Sequence, residues 1–99
     1  MYLTVLGINH RTAPVEVRGQ VAFPPESLQR ALGELKALDG IQEAVILSTC
    51  NRTELYLNQD TEIVEQIPEW LCRFHQLEPA SLQPHLYTYK ESEAVRHIL

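Results

Sequence analysis

Two strand-length runs, "EAVILSTC" at 43–50 and "TELYLN" at 53–58, are separated only by Asn51 and Arg52. The first is a continuous apolar run. The second alternates Thr53, Leu55 and Leu57 against Glu54 and Tyr56. So short a joint admits only an antiparallel hairpin, because parallel neighbours need a crossover of about a dozen residues or more. The remaining segments must be arranged around that hairpin.

"YLTVLGINH" is rich in β-formers and predicts a first strand ending near His10. In "RTAPVEVRGQVAF", Pro14 and Gly19 interrupt any long helix, so a short helical turn or loop over a sheet edge is expected. From Pro24, Leu28, Ala31, Leu32, Leu35 and Leu38 fall at helical spacing, with Asp39-Gly40 as the stop. A second stripe, Ile63, Val64, Ile67, Trp70, Leu71 and Phe74, predicts another amphipathic helix, which Pro68 should kink or restart. "EPASLQP" reads as a short helix or turn and "HLYTY" as a fourth strand. "ESEAVRHIL" reads as a last helix with Val95, Ile98 and Leu99 on one face. The order βαββαβ predicts an α+β, ferredoxin-like domain: a four-stranded antiparallel sheet with helices packed on one face, plus a further helix at the C-terminal end that leaves the domain. An uncapped, apolar last helix is expected of the cut end of a longer protein.

Ninety-nine residues suffice for one domain with a real core. Net charge is −5, and no lysine or arginine cluster occurs, so any contact with RNA within this segment should be small. No stretch approaches the ~20 apolar residues of a membrane span. The opening residues lack a basic leader with an apolar core, which points to the cytoplasm, and there Cys50 and Cys72 are expected as free thiols. The sequon at Asn51 carries no meaning in that compartment.

Cys50 ends the apolar run among polar groups. A thiolate is the strongest neutral-pH nucleophile among side chains, and a nearby cation such as Arg52 favours it. On an extended segment positions 50 and 52 share a face, while Thr49 and Asn51 offer a hydroxyl and an amide to orient a carbonyl. A purely structural cysteine fits the same position, so two functions stay open: an acyl-transfer enzyme, or a non-catalytic ferredoxin-like binding or regulatory module. A standalone cysteine hydrolase would need His97 or His10 as base. Cys72 flanks the Trp70–Phe74 stripe and reads as packing, His75 as a helix C-terminal cap, and His85 as a surface residue at a strand start. His97 borders the last helix's apolar face, where a half-buried helical histidine is the plain alternative. No zinc-type spacing and no phosphate-cradling glycine loop are present, so neither a metal nor a nucleotide is expected on this chain.

"GINHRTAPVEVR" at 7–18, "LSTCNRTELY" at 47–56 and "AVRHIL" at 94–99 together resemble the N-terminal catalytic domain of glutamyl-tRNA reductases, and the resemblance covers residues 1–99. That family uses NADPH to reduce glutamyl-tRNA to glutamate-1-semialdehyde through a cysteine thioester, the first step of tetrapyrrole (porphyrin, haem) synthesis by the C5 route. The resemblance implies Cys50 as nucleophile and Thr49, Asn51 and Arg52 as substrate-binding residues, with Arg52 a natural partner for a glutamate carboxylate. It also implies His97 as a catalytic histidine that donates a proton or orients the substrate. The family's NADPH-binding and dimerisation domains would follow residue 99. The chain alone is therefore expected to be a monomer capable at most of acyl transfer or esterase chemistry, where the full-length family is homodimeric. Channelling of the product to the next enzyme of the pathway is part of the same implication.

Overall fold

A computed structural model of the chain describes residues 2–60 and 66–98. Strand β1 (Tyr2–Asn9) is followed by helices α1 (Val15–Gln20) and α2 (Pro25–Lys36), then strands β2 (Ile41–Ser48) and β3 (Arg52–Gln59). Helices α3 (Gln66–His75) and α4 (Pro79–Leu82) and a 3-10 turn (Gln83–His85) lead to strand β4 (Tyr87–Lys90) and helix α5 (Ser92–Ile98). The sheet order is β2-β3-β1-β4, with every neighbouring pair antiparallel. This is the expected split-βαβ architecture.

Register fixes which residues share a face. Leu6 pairs with Leu55 and Ile8 with Thr53, and Leu6, Ile8, Leu55 and Leu57 form one core with Ala31 and Leu35 of α2 and Ile67, Trp70 and Leu71 of α3. Full burial of a Leu or Ile there contributes about 1.5–3 kcal/mol each. Phe23, Trp70 and Phe74 add an aromatic cluster, capped by the Arg30 guanidinium 4.4 Å above the Phe74 ring. Pro25 opens α2 at a position whose N–H needs no partner. Pro68 lies in the first turn of α3, so among the described residues it causes no kink. Ile63 and Val64 of the expected stripe, and Leu99 of the last, lie outside the described residues.

The opposite face holds Val5, Gly7, Glu54, Tyr56, Tyr87 and Tyr89, as the pairings Val5–Tyr56, Val5–Tyr89, Gly7–Glu54 and Gly7–Tyr87 require. Here the structure corrects two expectations. The last helix does not leave the domain: α5 turns back and packs on β1 and β4. Glu91, at φ 54°, makes the reversal, and its N–H donates to the Leu3 carbonyl. Nor does α5 bury the face read from its apolar residues. Ala94 is fully buried, whereas Val95 and Ile98 are 43% and 49% exposed. The side of α5 that meets the sheet is the one carrying His97.

Candidate active site

The hairpin that joins β2 to β3 is organised by Thr49. Its N–H donates to the Arg52 carbonyl at 2.8 Å, and its hydroxyl oxygen accepts from the Asn51 and Arg52 N–H groups, each at 3.2 Å. This side-chain turn leaves Cys50 exposed as a free thiol. Arg18 of α1 holds the turn from outside: Nε donates to the Cys50 carbonyl at 3.3 Å and Nη1 to the Ala13 carbonyl at 2.9 Å. Cys50 sits in the turn and not on an extended segment, so strand alternation does not set its relation to Arg52. The cation tied to its backbone is Arg18, which sequence reasoning missed.

Arg52 serves a different neighbour. Its Nε lies 3.9 Å from Oε1 of Glu54, a carboxylate with no exposed surface. Glu54 Oε1 also accepts from the Tyr56 hydroxyl, and Oε2 accepts from the Tyr87 hydroxyl and lies 2.5 Å from Nε2 of His97. An uncompensated buried carboxylate costs several kcal/mol, so this density of donors is what makes the burial tolerable. Gly7 makes the room. A Cβ at that position would stand 2.6 Å from the Thr53 carbonyl oxygen and 2.8 Å from Glu54 Cγ. Burial pushes the Glu54 carboxyl up, but hydrogen bonds from Tyr56, Tyr87 and His97, and the charge of His97, outweigh it and hold the group below its ordinary range. Burial and the adjacent carboxylate in turn push Tyr56 up to about 12 and Tyr87 strongly upward. The His97 ring lies 4.7 Å from that of Tyr89 and 5.8 Å from that of Tyr87, at the edge of an open cavity of about 310 Å³ that Glu93 and Arg96 also line.

Of the residues singled out from sequence, Thr49, Cys50, Asn51 and Arg52 therefore form one turn and its exit, and Arg52 and His97 converge on Glu54. Cys50 is exposed, whereas a cysteine that only packs is ordinarily buried. Cys72 is buried at 4% exposure in the α3 core, where burial raises its pKa. His75 is no helix cap: it packs 4.6 Å from the Phe23 ring and 5.3 Å from Phe74, its buried Nε2 has no partner among the described residues, and burial lowers its pKa. His85 is half-buried at the end of the 3-10 turn, with Nδ1 2.9 Å from the Thr12 carbonyl oxygen. His10 is exposed in the turn after β1. Among the described residues no group of His, Cys, Asp and Glu is gathered to hold a metal ion. Gly7 is packed against Glu54, and Gly19 and Gly33 lie inside helices; among the described residues no glycine-rich loop opens onto a helix N-terminus. No helix among those described is long and apolar enough to cross a membrane.

A four-stranded antiparallel sheet in split-βαβ order, with an exposed thiol on one hairpin and a buried carboxylate–histidine pair on its second face, defines the class: a ferredoxin-like α+β domain with a polar site at one end of the sheet. The profile of the family described as "Glutamyl-tRNAGlu reductase, N-terminal domain" matches residues 6–99, and the chain belongs to that family. It is 54% identical over 99 residues to a glutamyl-tRNA reductase of Marinobacter nauticus and 52% identical to one of Chromohalobacter salexigens. Each alignment takes in 100% of this chain and 23% of the relative, so the chain spans under a quarter of those proteins' length. The solved glutamyl-tRNA reductase of Methanopyrus kandleri superposes with a TM-score of 0.66 at 27% identity, over 97% of this chain and 21% of that one.

Proposed function

We propose that this chain carries the acyl-transfer half of glutamyl-tRNA reduction, with Cys50 as the nucleophile. The observation that supports it most is the exposed Cys50 thiol on a turn that Thr49 and Arg18 hold in shape, within a chain matched end to end by named glutamyl-tRNA reductases. The Cys50 sulfur attacks the carbonyl carbon of the glutamyl ester. A C–S bond forms, the ester C–O bond to the tRNA ribose breaks, and the proton given up by the thiol ends on the ribose oxygen. The product is a glutamyl thioester, whose carbonyl has less resonance stabilisation than an ester and so accepts a hydride more readily.

The side chains divide the remaining work. The Thr49 hydroxyl is committed to its turn, since it accepts from two N–H groups and lies 3.4 Å from the Arg52 carbonyl oxygen that it donates to; its part is to present Cys50. Asn51 offers an exposed amide next to the thiol. Arg52, 48% exposed and only loosely paired with Glu54, retains donors for a substrate carboxylate. His97, 23% exposed, supplies the proton-carrying group. Reduction of the thioester with NADPH to glutamate-1-semialdehyde, for tetrapyrrole synthesis, calls for a nicotinamide site that these residues do not build. The same reading makes glutamyl-tRNA the partner, the cytoplasm the location and this chain a monomer, with homodimerisation and product channelling belonging to the full-length enzyme.

The test is incubation with charged glutamyl-tRNA in the absence of NADPH, an acid quench and peptide mass spectrometry. A glutamyl adduct on the Cys50 peptide, lost in Cys50→Ser and kept in Cys72→Ser, is the expected result. An adduct that survives Cys50→Ser, or none on either this chain or the full-length protein, overturns the assignment.

A further inference from the structure

We propose that Glu54 is the positioning residue of this site: its carboxylate, fixed in place by the Tyr56 and Tyr87 hydroxyls, holds the His97 ring with Nε2 protonated, leaving Nδ1 as the ring nitrogen for the substrate. The proposal rests on His97 having the proton-carrying part given to it above.

The argument is one of donors and acceptors. An ionised carboxylate only accepts, so a ring nitrogen 2.5 Å from Glu54 Oε2 must bring the hydrogen. Which nitrogen of a histidine carries the proton is set by the bond the other one makes, and here that bond is to a group with no freedom to move. Oε1 is held by Tyr56, Oε2 by Tyr87, and the backbone of Gly7 closes the space behind. A structural role alone would not need this arrangement: an apolar residue at position 54, with phenylalanines for the two tyrosines, would bury the same surface without desolvating a charge. Among the described residues, the groups near the ring include the faces of Tyr87 and Tyr89, with Glu93 and Arg96 at the cavity edge, and Arg52 across the same carboxylate. Glu54 thereby ties the substrate-binding cation to the proton carrier. With Nε2 committed to Glu54, Nδ1 is left as the ring nitrogen that can exchange a proton with, or orient, a group of the substrate.

The test reads the ring directly. With histidine labelled by ¹⁵N, His97 of the wild-type chain should show a protonated Nε2 with a far-downfield proton and an unprotonated Nδ1 when neutral. Glu54→Gln should lose the downfield proton and slow glutamyl-adduct formation on Cys50 by about tenfold or more, as His97→Asn should. The double variant should be no more than about twofold slower than the slower single one, because both remove the same device. Tyr87→Phe, which keeps the carboxylate, provides a variant less exposed to folding failure and should weaken the same resonance. A wild-type ring protonated at Nδ1, a Glu54→Gln variant that acylates at the wild-type rate, or multiplying effects in the double variant would overturn the proposal. Should wild-type Cys50 take no glutamyl group, the acyl-transfer reading fails by itself, and the ring's protonation pattern still decides what Glu54 does.

Discussion

A methyl group on Gly7 would stand 2.6 Å from the Thr53 carbonyl oxygen and 2.8 Å from Glu54 Cγ, and the first of these neighbours is backbone that cannot swing aside. Gly7→Ala should therefore destabilise the fold by about 1–3 kcal/mol, the range for overpacking, and displace Glu54 from its donors. Gly33→Ala is the control. That glycine lies inside α2 with nothing within 4 Å of the added carbon, so the change should stabilise by roughly 1 kcal/mol in urea titrations. If both changes cost the same, Gly7 is not shaped by its contact with Glu54. The two thiols differ just as sharply. Iodoacetamide at neutral pH should label Cys50 first, and Cys72 only in denaturant, because Cys72 is buried and its pKa is raised. Cys50 could be singled out as a candidate in the sequence because it closes an apolar run against the polar Asn51-Arg52. Glu54 was not, because alternation along "TELYLN" assigns it to the polar side of a strand, and only the return of α5 makes that side an interior. A lone glycine opposite it was the one available signal, and it acquires meaning only once the register is known.

The βαββαβ order and its sheet could be read from periodicity, because each element has its own stripe or alternation and the short connections limit the pairings. What periodicity could not supply was the destination of α5. Its apolar residues, Val95 and Ile98, point one way and the helix docks by Ala94 and His97, since a small residue allows close approach and Glu54 attracts the imidazole. The β2–β3 hairpin shows the same limit: its position was evident and its internal bonding was not. Thr49→Val keeps the shape of the side chain and deletes the oxygen that accepts from Asn51 and Arg52. By analogy with loss of a helix cap, it should cost about 0.5–2 kcal/mol and speed hydrogen exchange at those two amides, with the strand amides of β3 unchanged. Acceleration spread over the whole of β3 would instead mean that the turn nucleates the strand pair. Adduct formation at Cys50 should fall in parallel with the local exchange protection, because Thr49 acts on the thiol only through the turn.

Taken together, the titrating groups of the interior set a window of pH in which the whole fold is most stable, and its edges have separate owners. His75 has an ordinary value of 6.5, lowered in the folded state by burial between Phe23 and Phe74. As pH falls below that value the unfolded chain takes up a proton that the folded chain resists, so stability declines. Glu54 acts lower down. Its folded value lies below the ordinary 4.5, so its contribution is complete above that pH and is lost as pH falls through the folded value, when protonation breaks the bonds to Tyr56, Tyr87 and His97. On the alkaline side the sign reverses: Tyr56 ionises near 10 in the unfolded chain and at about 12 in the folded one, so the folded state holds the extra proton and stability falls as pH rises between those values. Urea midpoints measured from pH 3 to 11 should accordingly form a plateau with two shoulders on its acid side. His75→Phe, which extends the aromatic cluster and removes the titrating ring, should erase the upper acid shoulder and leave the lower one. Glu54→Gln should do the reverse and also flatten the alkaline fall, because Tyr56 then loses the carboxylate that raises it. A single acid transition unchanged by either substitution would place the pH dependence elsewhere than in these two buried groups.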